Sequence, residues 1–278
     1  MDSMTVVALH NGFLSDGKWV RNATVRELNG YDEQEFARAG ETLPPAQRTT
    51  AILDRVTKLE GTPGSKKNLE LVRQLTVGDR VALMLHLRRL TFGDKMECIV
   101  TCPRCAAEMS VGLSADLLTQ TGRREMKNDA EVKIGESVLH VRAITGADLE
   151  DVMTSTGDMS AEEALVRSCI VSSDRPLPSR LTPEMIAAVS AKLEELDPQA
   201  EIVLDLSCPS CGHQFKTPFF IEDFLFREVR SRVPRLEKEV HWIAFNYHWN
   251  PDEILSLPVG ERGRYIEMIN STLSGESL

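Results

Sequence analysis

The residues Thr101-Cys102-Pro103-Arg104-Cys105 and Ser207-Cys208-Pro209-Ser210-Cys211-Gly212-His213 decide how this chain folds. Each is a C-P-x-C turn between two β-like runs. Met96 to Val100 enters the first turn and Met109 to Leu113 leaves it, while Ile202 to Leu206 enters the second and Phe215 to Ile221 leaves it. A helix start follows each copy, Ser114-Ala115-Asp116-Leu117-Leu118 and then Glu222-Asp223-Phe224-Leu225. The pattern is an internal repeat of strand, knuckle, strand, helix, whose copies are expected to face each other. Four thiolates from two such turns supply the tetrahedral sulfur shell that structural zinc takes. Gly212 follows Cys211 and lets the backbone turn back with positive φ, whereas Ala106 and Ala107 stand in the first turn and impose strain or another geometry.

Working outward, the 102 residues numbered 106 to 207 between the turns are too many for a loop. Glu131 to Ile134 and Val138 to Ala143 alternate as a hairpin, Thr145-Gly146-Ala147-Asp148-Leu149 opens a helix, and Ala161 to Val171 is a second. Thr182-Pro183-Glu184 starts a third helix that runs to about Leu196, where Asp197-Pro198 stops it. Before the first turn, Asn11-Gly12 and Asp16-Gly17 signal a small hairpin or arm, and helices are expected over 32–39 and 45–59. The 61–65 linker contains Gly64-Ser65-Lys66, which lacks the order of a phosphate loop and follows a helix instead of a strand. Thr76 and Asp79 form a capping-box pattern ahead of Val81 to Leu90, a helix apolar around most of its circumference and so expected to be buried on nearly all sides. At the other end, Leu236, Val240, Ile243 and Tyr247 form a helical stripe ending at Trp249. Asn250-Pro251-Asp252-Glu253 then caps a last amphipathic helix carrying Tyr265, Ile266, Ile269 and Leu273.

The fold class is therefore α+β: a split zinc ribbon of two C-P-x-C β-hairpins with an inserted, mainly helical subdomain and helical N- and C-terminal regions. The expected divisions are 1–30 (arm or hairpin), 31–94 (helical), 95–118 (first half of the ribbon), 119–200 (inserted hairpin and helices), 201–226 (second half of the ribbon) and 227–278 (C-terminal helices).

Composition narrows the function. Hydrophobic residues at 42% and charged residues at 27% describe a globular chain, which excludes disordered, collagen and coiled-coil classes. A net charge of −10 argues against a nucleic-acid groove, and Arg227, Arg230, Arg232 and Arg235, interleaved with Glu228 and Glu237, read as a solvated face. The longest strong apolar run, Val81 to Leu85, is far short of a membrane span, and the first residues lack the pattern of a signal peptide. A reducing cytoplasm is the expected compartment, where paired C-x-x-C motifs are metal ligands or redox groups. Redox chemistry places such a pair at a helix N-terminus, whereas β-like residues follow both pairs here.

The other candidates carry less. Cys98 lies in a strand and Cys169 in an apolar helix, His213 flanks the second turn as an alternate ligand, and His241 and His248 stand about 10.5 Å apart along a helix, too far to share a metal. No catalytic motif appears.

Several stretches then occur in a telling order: Leu75-Thr76-Val77-Gly78-Asp79-Arg80, Leu87 to Asp94, the first cysteine turn, Val141 to Leu149, the second turn, Phe224 to Val229, and Glu239 to Trp249. Together, over residues 20 to 270, they resemble the baseplate protein family of T-even-type phages, often labelled baseplate hub assembly chaperone, and its relatives in contractile injection systems. Two departures stand out: Tyr247-His248-Trp249 replaces a Tyr-Gly-Trp pattern, and the first knuckle lacks its glycine. The resemblance implies a non-enzymatic part of a contractile baseplate within a symmetric hetero-oligomer of baseplate or tail proteins, with no nucleic-acid or membrane partner. Such a part is made in the bacterial cytoplasm and belongs to the virion or injection particle. One zinc on Cys102, Cys105, Cys208 and Cys211 would staple it, and Trp242, Trp249 and Tyr265 are candidate partner contacts. The rival readings are a zinc-ribbon adaptor for nucleic acid or a transcription complex, and a thiol oxidoreductase.

Overall fold

The computed structural model describes residues 4–15, 17–60, 68–119, 129–154 and 158–274. The 61–65 linker, with its Gly64-Ser65-Lys66, and Asp16 of the expected Asp16-Gly17 turn lie outside the described residues. Strands β1 (Met4–Ser15) and β2 (Lys18–Arg26) form an antiparallel hairpin. Helices α1 (Gly30–Thr42) and α2 (Pro45–Val56) follow, then a third strand β3 (Thr57–Leu59) that pairs with β2. The hairpin is no free arm: Val7, Leu9, Phe13, Val20, Ala23 and Val25 lie in the main core. Thr57–Leu59, expected as the end of a helix, is a strand because its alternation buries Thr57 and Leu59 while exposing Lys58.

Helix α3 (Asn68–Gln74) leads to α4 (Val77–Phe92), the central element, where Val81, Leu83, Met84, Leu85 and Leu87 are all buried. The expected capping box is only half made. Thr76 accepts from the Asp79 N–H, but the Asp79 carboxylate turns to the backbone of β1 instead of closing the box. Strands β4 (Lys95–Thr101) and β5 (Glu108–Ser114) then form a two-stranded ribbon ending in α5 (Ala115–Thr119).

The segment between the cysteine turns has its own core and its own sheet. Strands β6 (Asp129–Ile134), β7 (Ser137–Arg142) and β8 (Ile170–Ser173) form a sheet of order β6-β7-β8, and helices α6 (Gly146–Thr154) and α7 (Ala161–Cys169) lie between β7 and β8 in the chain. The expected helix thus ends at Cys169, and β8 begins at Ile170, where pairing with Val141 replaces helical hydrogen bonding. Helix α8 (Pro183–Leu196), capped by Thr182, packs Val189, Leu193 and Leu196 into this core.

Strands β9 (Ile202–Ser207) and β10 (Gln214–Phe219) make the second ribbon. Helix α9 (Ile221–Tyr247) then runs unbroken through Pro234. That proline is exposed, on the solvent side of the helix. The helix ends at Tyr247, two residues before the expected Trp249, with His248 in the left-handed region. Helix α10 (Pro251–Ser256) has the expected capping box from Asn250 and Glu253, and α11 (Val259–Ser274) closes the chain. The two helices pack Ile254 and Ile269 on Ile243.

A second repeat emerges only in three dimensions. Val25-Arg26-Glu27-Leu28-Asn29-Gly30-Tyr31-Asp32 and Val141-Arg142-Ala143-Ile144-Thr145-Gly146-Ala147-Asp148 occupy the same strand-to-helix junction in the two three-stranded modules. In each, the arginine bonds both carboxylate oxygens of the aspartate and the carbonyl of the next residue. Each junction is met by a helix start of one pattern, Leu75-Thr76-Val77-Gly78-Asp79-Arg80 or Leu257-Pro258-Val259-Gly260-Glu261-Arg262. The Val77 N–H donates to the Ile144 carbonyl and the Val259 N–H to the Leu28 carbonyl, both at 3.0 Å. Arg80 and Arg262 are both fully buried. The module that begins the chain therefore holds a helix from its end, and the later module holds a helix from its first half.

Asp197, the C-cap of α8, accepts from the Gly78 N–H at 2.7 Å and so ties α8 to the start of α4. Burial, together with the nearby Asp79 carboxylate, pushes its carboxyl from 3.8 up to about 6 against that N–H. A pKa raised in the folded state makes a contribution that is complete below the unfolded value and is lost as pH rises through about 6. The stability of the wild type relative to Asp197→Asn should therefore fall by about 3 kcal/mol between acid and neutral pH, read from denaturation midpoints across that range.

Candidate metal centre

The two cysteine turns are built alike. In the first, the Cys102 N–H donates to the Ala107 carbonyl and the Ala106 N–H to the Cys102 carbonyl, both at 2.9 Å. In the second, the Cys208 N–H donates to the His213 carbonyl and the Gly212 N–H to the Cys208 carbonyl, again at 2.9 Å. Each turn closes the end of a ribbon whose other end is anchored in the main core, by Met96 on one side and by Leu204 and Phe219 on the other.

The four thiols converge. Cys102 Sγ lies 3.8 Å from Cys211 Sγ, Cys105 Sγ lies 3.7 Å from Cys208 Sγ, and all four fall within 4.8 Å of one another. A tetrahedron with metal–sulfur bonds of about 2.3 Å has sulfur–sulfur edges of about 3.8 Å, so the residues fit a four-coordinate zinc. Cys102 and Cys208 are buried, and Cys105 and Cys211 are exposed. Burial opposes ionisation of Cys208, but the N–H groups of Cys211 and Ser210 and the thiols of Cys102 and Cys105 bring it down to about 6. At Cys105 the Ala107 N–H pulls downward, and the other three thiols and burial outweigh it, pushing the group up to about 12. Crowding of this kind disfavours a second thiolate until a cation shares the charge.

Among the described residues the cluster contains no histidine: the His213 ring stacks on Phe215 instead, with centroids 5.9 Å apart. Cys98 and Cys169 also stand outside it. Burial pushes both thiols up, Cys169 to about 11, which disfavours the reactive thiolate form.

The missing glycine of the first turn has a visible cost. Ala106 occupies the place of Gly212, with φ of 57° against 70°. The only other non-glycine residue with positive φ among those described is His248, the second departure from the family pattern. Ala106→Gly should stabilise the protein by about 1 kcal/mol and Gly212→Ala should cost a similar amount, since nothing crowds a Cβ at Gly212 and only the backbone conformation is at stake. Chemical denaturation of the two variants checks both signs.

The three aromatic candidates separate. Trp249 and Tyr265 pack against each other and Tyr247, with centroids 5.0 to 5.5 Å apart, inside the C-terminal cluster. Trp242 is 45% exposed and lies near Phe245, which is 68% exposed, and both rings contact His241.

The family model described as T4 bacteriophage base plate protein matches residues 14–173, from the first hairpin through β8. The chain belongs to this family. The matched part of this baseplate protein includes the first cysteine turn and stops before the second. Searches of curated proteins and of solved structures find no match. The paired junctions of Arg26 with Asp32 and Arg142 with Asp148 escaped the reading of the sequence. Their signal was a V-R-x-x-x-G-x-D pattern recurring 116 positions apart, from Val25 to Val141.

Proposed function

We propose that the protein is a non-enzymatic structural component of a contractile baseplate, in a phage tail or a phage-tail-like injection system, and that one zinc on Cys102, Cys105, Cys208 and Cys211 joins its two ribbons into a split zinc ribbon. The observation that carries this reading is the convergence of four thiols, from turns a hundred residues apart, within a baseplate family member. A bound zinc supplies four strong bonds and no redox chemistry, and its binding free energy becomes folding free energy for two hairpins too small to stand alone. The chain's own part is to present the sulfurs from closed turns and to hold the ribbons on the main core. Trp242 and Phe245, apolar and exposed on α9, are the partner contacts this reading favours, while Trp249 and Tyr265 serve the fold. Together with the other baseplate or tail proteins the chain forms a hetero-oligomeric symmetric assembly in the particle.

Two measurements test the proposal. Elemental analysis should give one zinc per chain, and baseplates assembled without the protein should be incomplete. Metal-free protein would overturn the zinc, and complete, active baseplates without the protein would overturn the role.

A further inference from the structure

The two three-stranded modules provide a comparison inside one chain. Their shared registers make Arg26 equivalent to Arg142, Thr24 to His140 and Asn22 to Val138. Through those partners Met4 is equivalent to Asp129, Val6 to Glu131 and Ala8 to Lys133. All six residues point away from the core and are exposed. In the later module the outward face of the edge strand is thus charged, negative, negative and positive. In the first module the same positions are apolar, with Met4 50% and Val6 61% exposed. The fold does not need apolar residues there, since its own second copy does without them.

The strand is also at an edge. The sheet order is β1-β2-β3, and among the described residues no strand pairs with the outer side of β1. Edge strands are normally guarded by charge or proline against pairing with another chain. The other described edge strands of six or more residues, β4, β5, β6, β9 and β10, each carry at least one charge, and β10 also has Pro218. β1, at twelve residues, has no Asp, Glu, Lys, Arg or Pro.

We propose that the outer edge of β1 over residues 4–8 is an interface that pairs antiparallel with β1 of a second copy of this chain. The occupant must be extended, to meet a row of free N–H and C=O groups, and it must be uncharged and apolar at alternate positions. β1 itself meets both requirements. An antiparallel pairing centred on Val6 sets Val6 opposite its own copy and Met4 opposite Ala8. It makes one isologous contact and a continuous six-stranded sheet, and it brings no like charges together.

The test is sedimentation velocity of the full chain over a wide concentration range, with hydrogen exchange of the amides of residues 4–8. The wild type should show a concentration-dependent monomer–dimer equilibrium, and those amides should gain protection as dimer forms. Val6→Lys places two lysines opposite each other and should weaken association at least tenfold. Because the side chain is exposed, its melting temperature should match the wild type at concentrations where both are monomeric. Wild-type protein that stays monomeric at every concentration overturns the proposal. So does a Val6→Lys variant that dimerises as tightly as the wild type.

Discussion

Chelation of the purified protein is expected to lower its thermal midpoint by about 10 °C or more, and Cys208→Ser protein should melt like the chelated wild type. The magnitude follows from what holds the ribbons without metal. Each is a two-stranded hairpin, an arrangement of marginal stability in water. Buried core contacts come from Met96, Leu204 and Phe219, with Leu113, Ile202 and Leu206 partly buried against the core, and the four sulfurs bring the two cysteine ends together. A structural zinc in a small finger contributes on the order of 10 kcal/mol, and even half of that shifts a chain of this size by the stated amount. Cys98→Ser, in β4 but outside the cluster, is the control and should keep its zinc. Protein that melts identically with and without chelator would sink the staple.

The two turns were legible in the sequence because their chemistry is local: C-P-x-C between alternating runs leaves few alternatives, and the repeat of that pattern implied that the copies meet. Their meeting at 3.7 and 3.8 Å is a tertiary fact that spacing alone could not give. What the residues concealed was set by partners distant in sequence. Thr57–Leu59 and Ile170–Ser173 continue straight from helices, and only pairing with β2 and β7 makes them strands. Pro234 lies inside α9, on the solvent side of a helix buried along Leu225, Phe226, Val229, Leu236 and Ile243. Of the three aromatic candidates, Trp249 and Tyr265 were drawn inward by the turn at Asn250, which folds α11 back onto α9.

The capping pattern at Thr76 and Asp79 misled for a reason that predicts a large effect. Asp79 is fully buried in the first turn of α4, and its carboxylate accepts from three successive backbone groups of β1: the N–H of His10 at 2.5 Å, of Asn11 at 3.2 Å and of Gly12 at 2.8 Å. The register between β1 and β2 shifts between Ala8 and Phe13, so the ladder is broken over those residues, and the carboxylate is the acceptor that replaces it. Gly12 belongs to the same device: its φ is +60°, and a Cβ there would lie 2.4 Å from the Val20 carbonyl oxygen. Asp79→Ala leaves two buried donors and one part-buried donor without an acceptor, each buried one worth about 1 to 3 kcal/mol and not fully additive, for an expected loss of about 4 kcal/mol. Asp79→Asn keeps the shape but sets an amide N–H₂ against one of those donors, so it should recover less than half of the loss. Equilibrium denaturation of both variants measures this. A cost under about 1 kcal/mol for Asp79→Ala would mean that water replaces the carboxylate, and the link between β1 and α4 would then rest on packing and on the Asn11 side chain donating to the Thr76 hydroxyl.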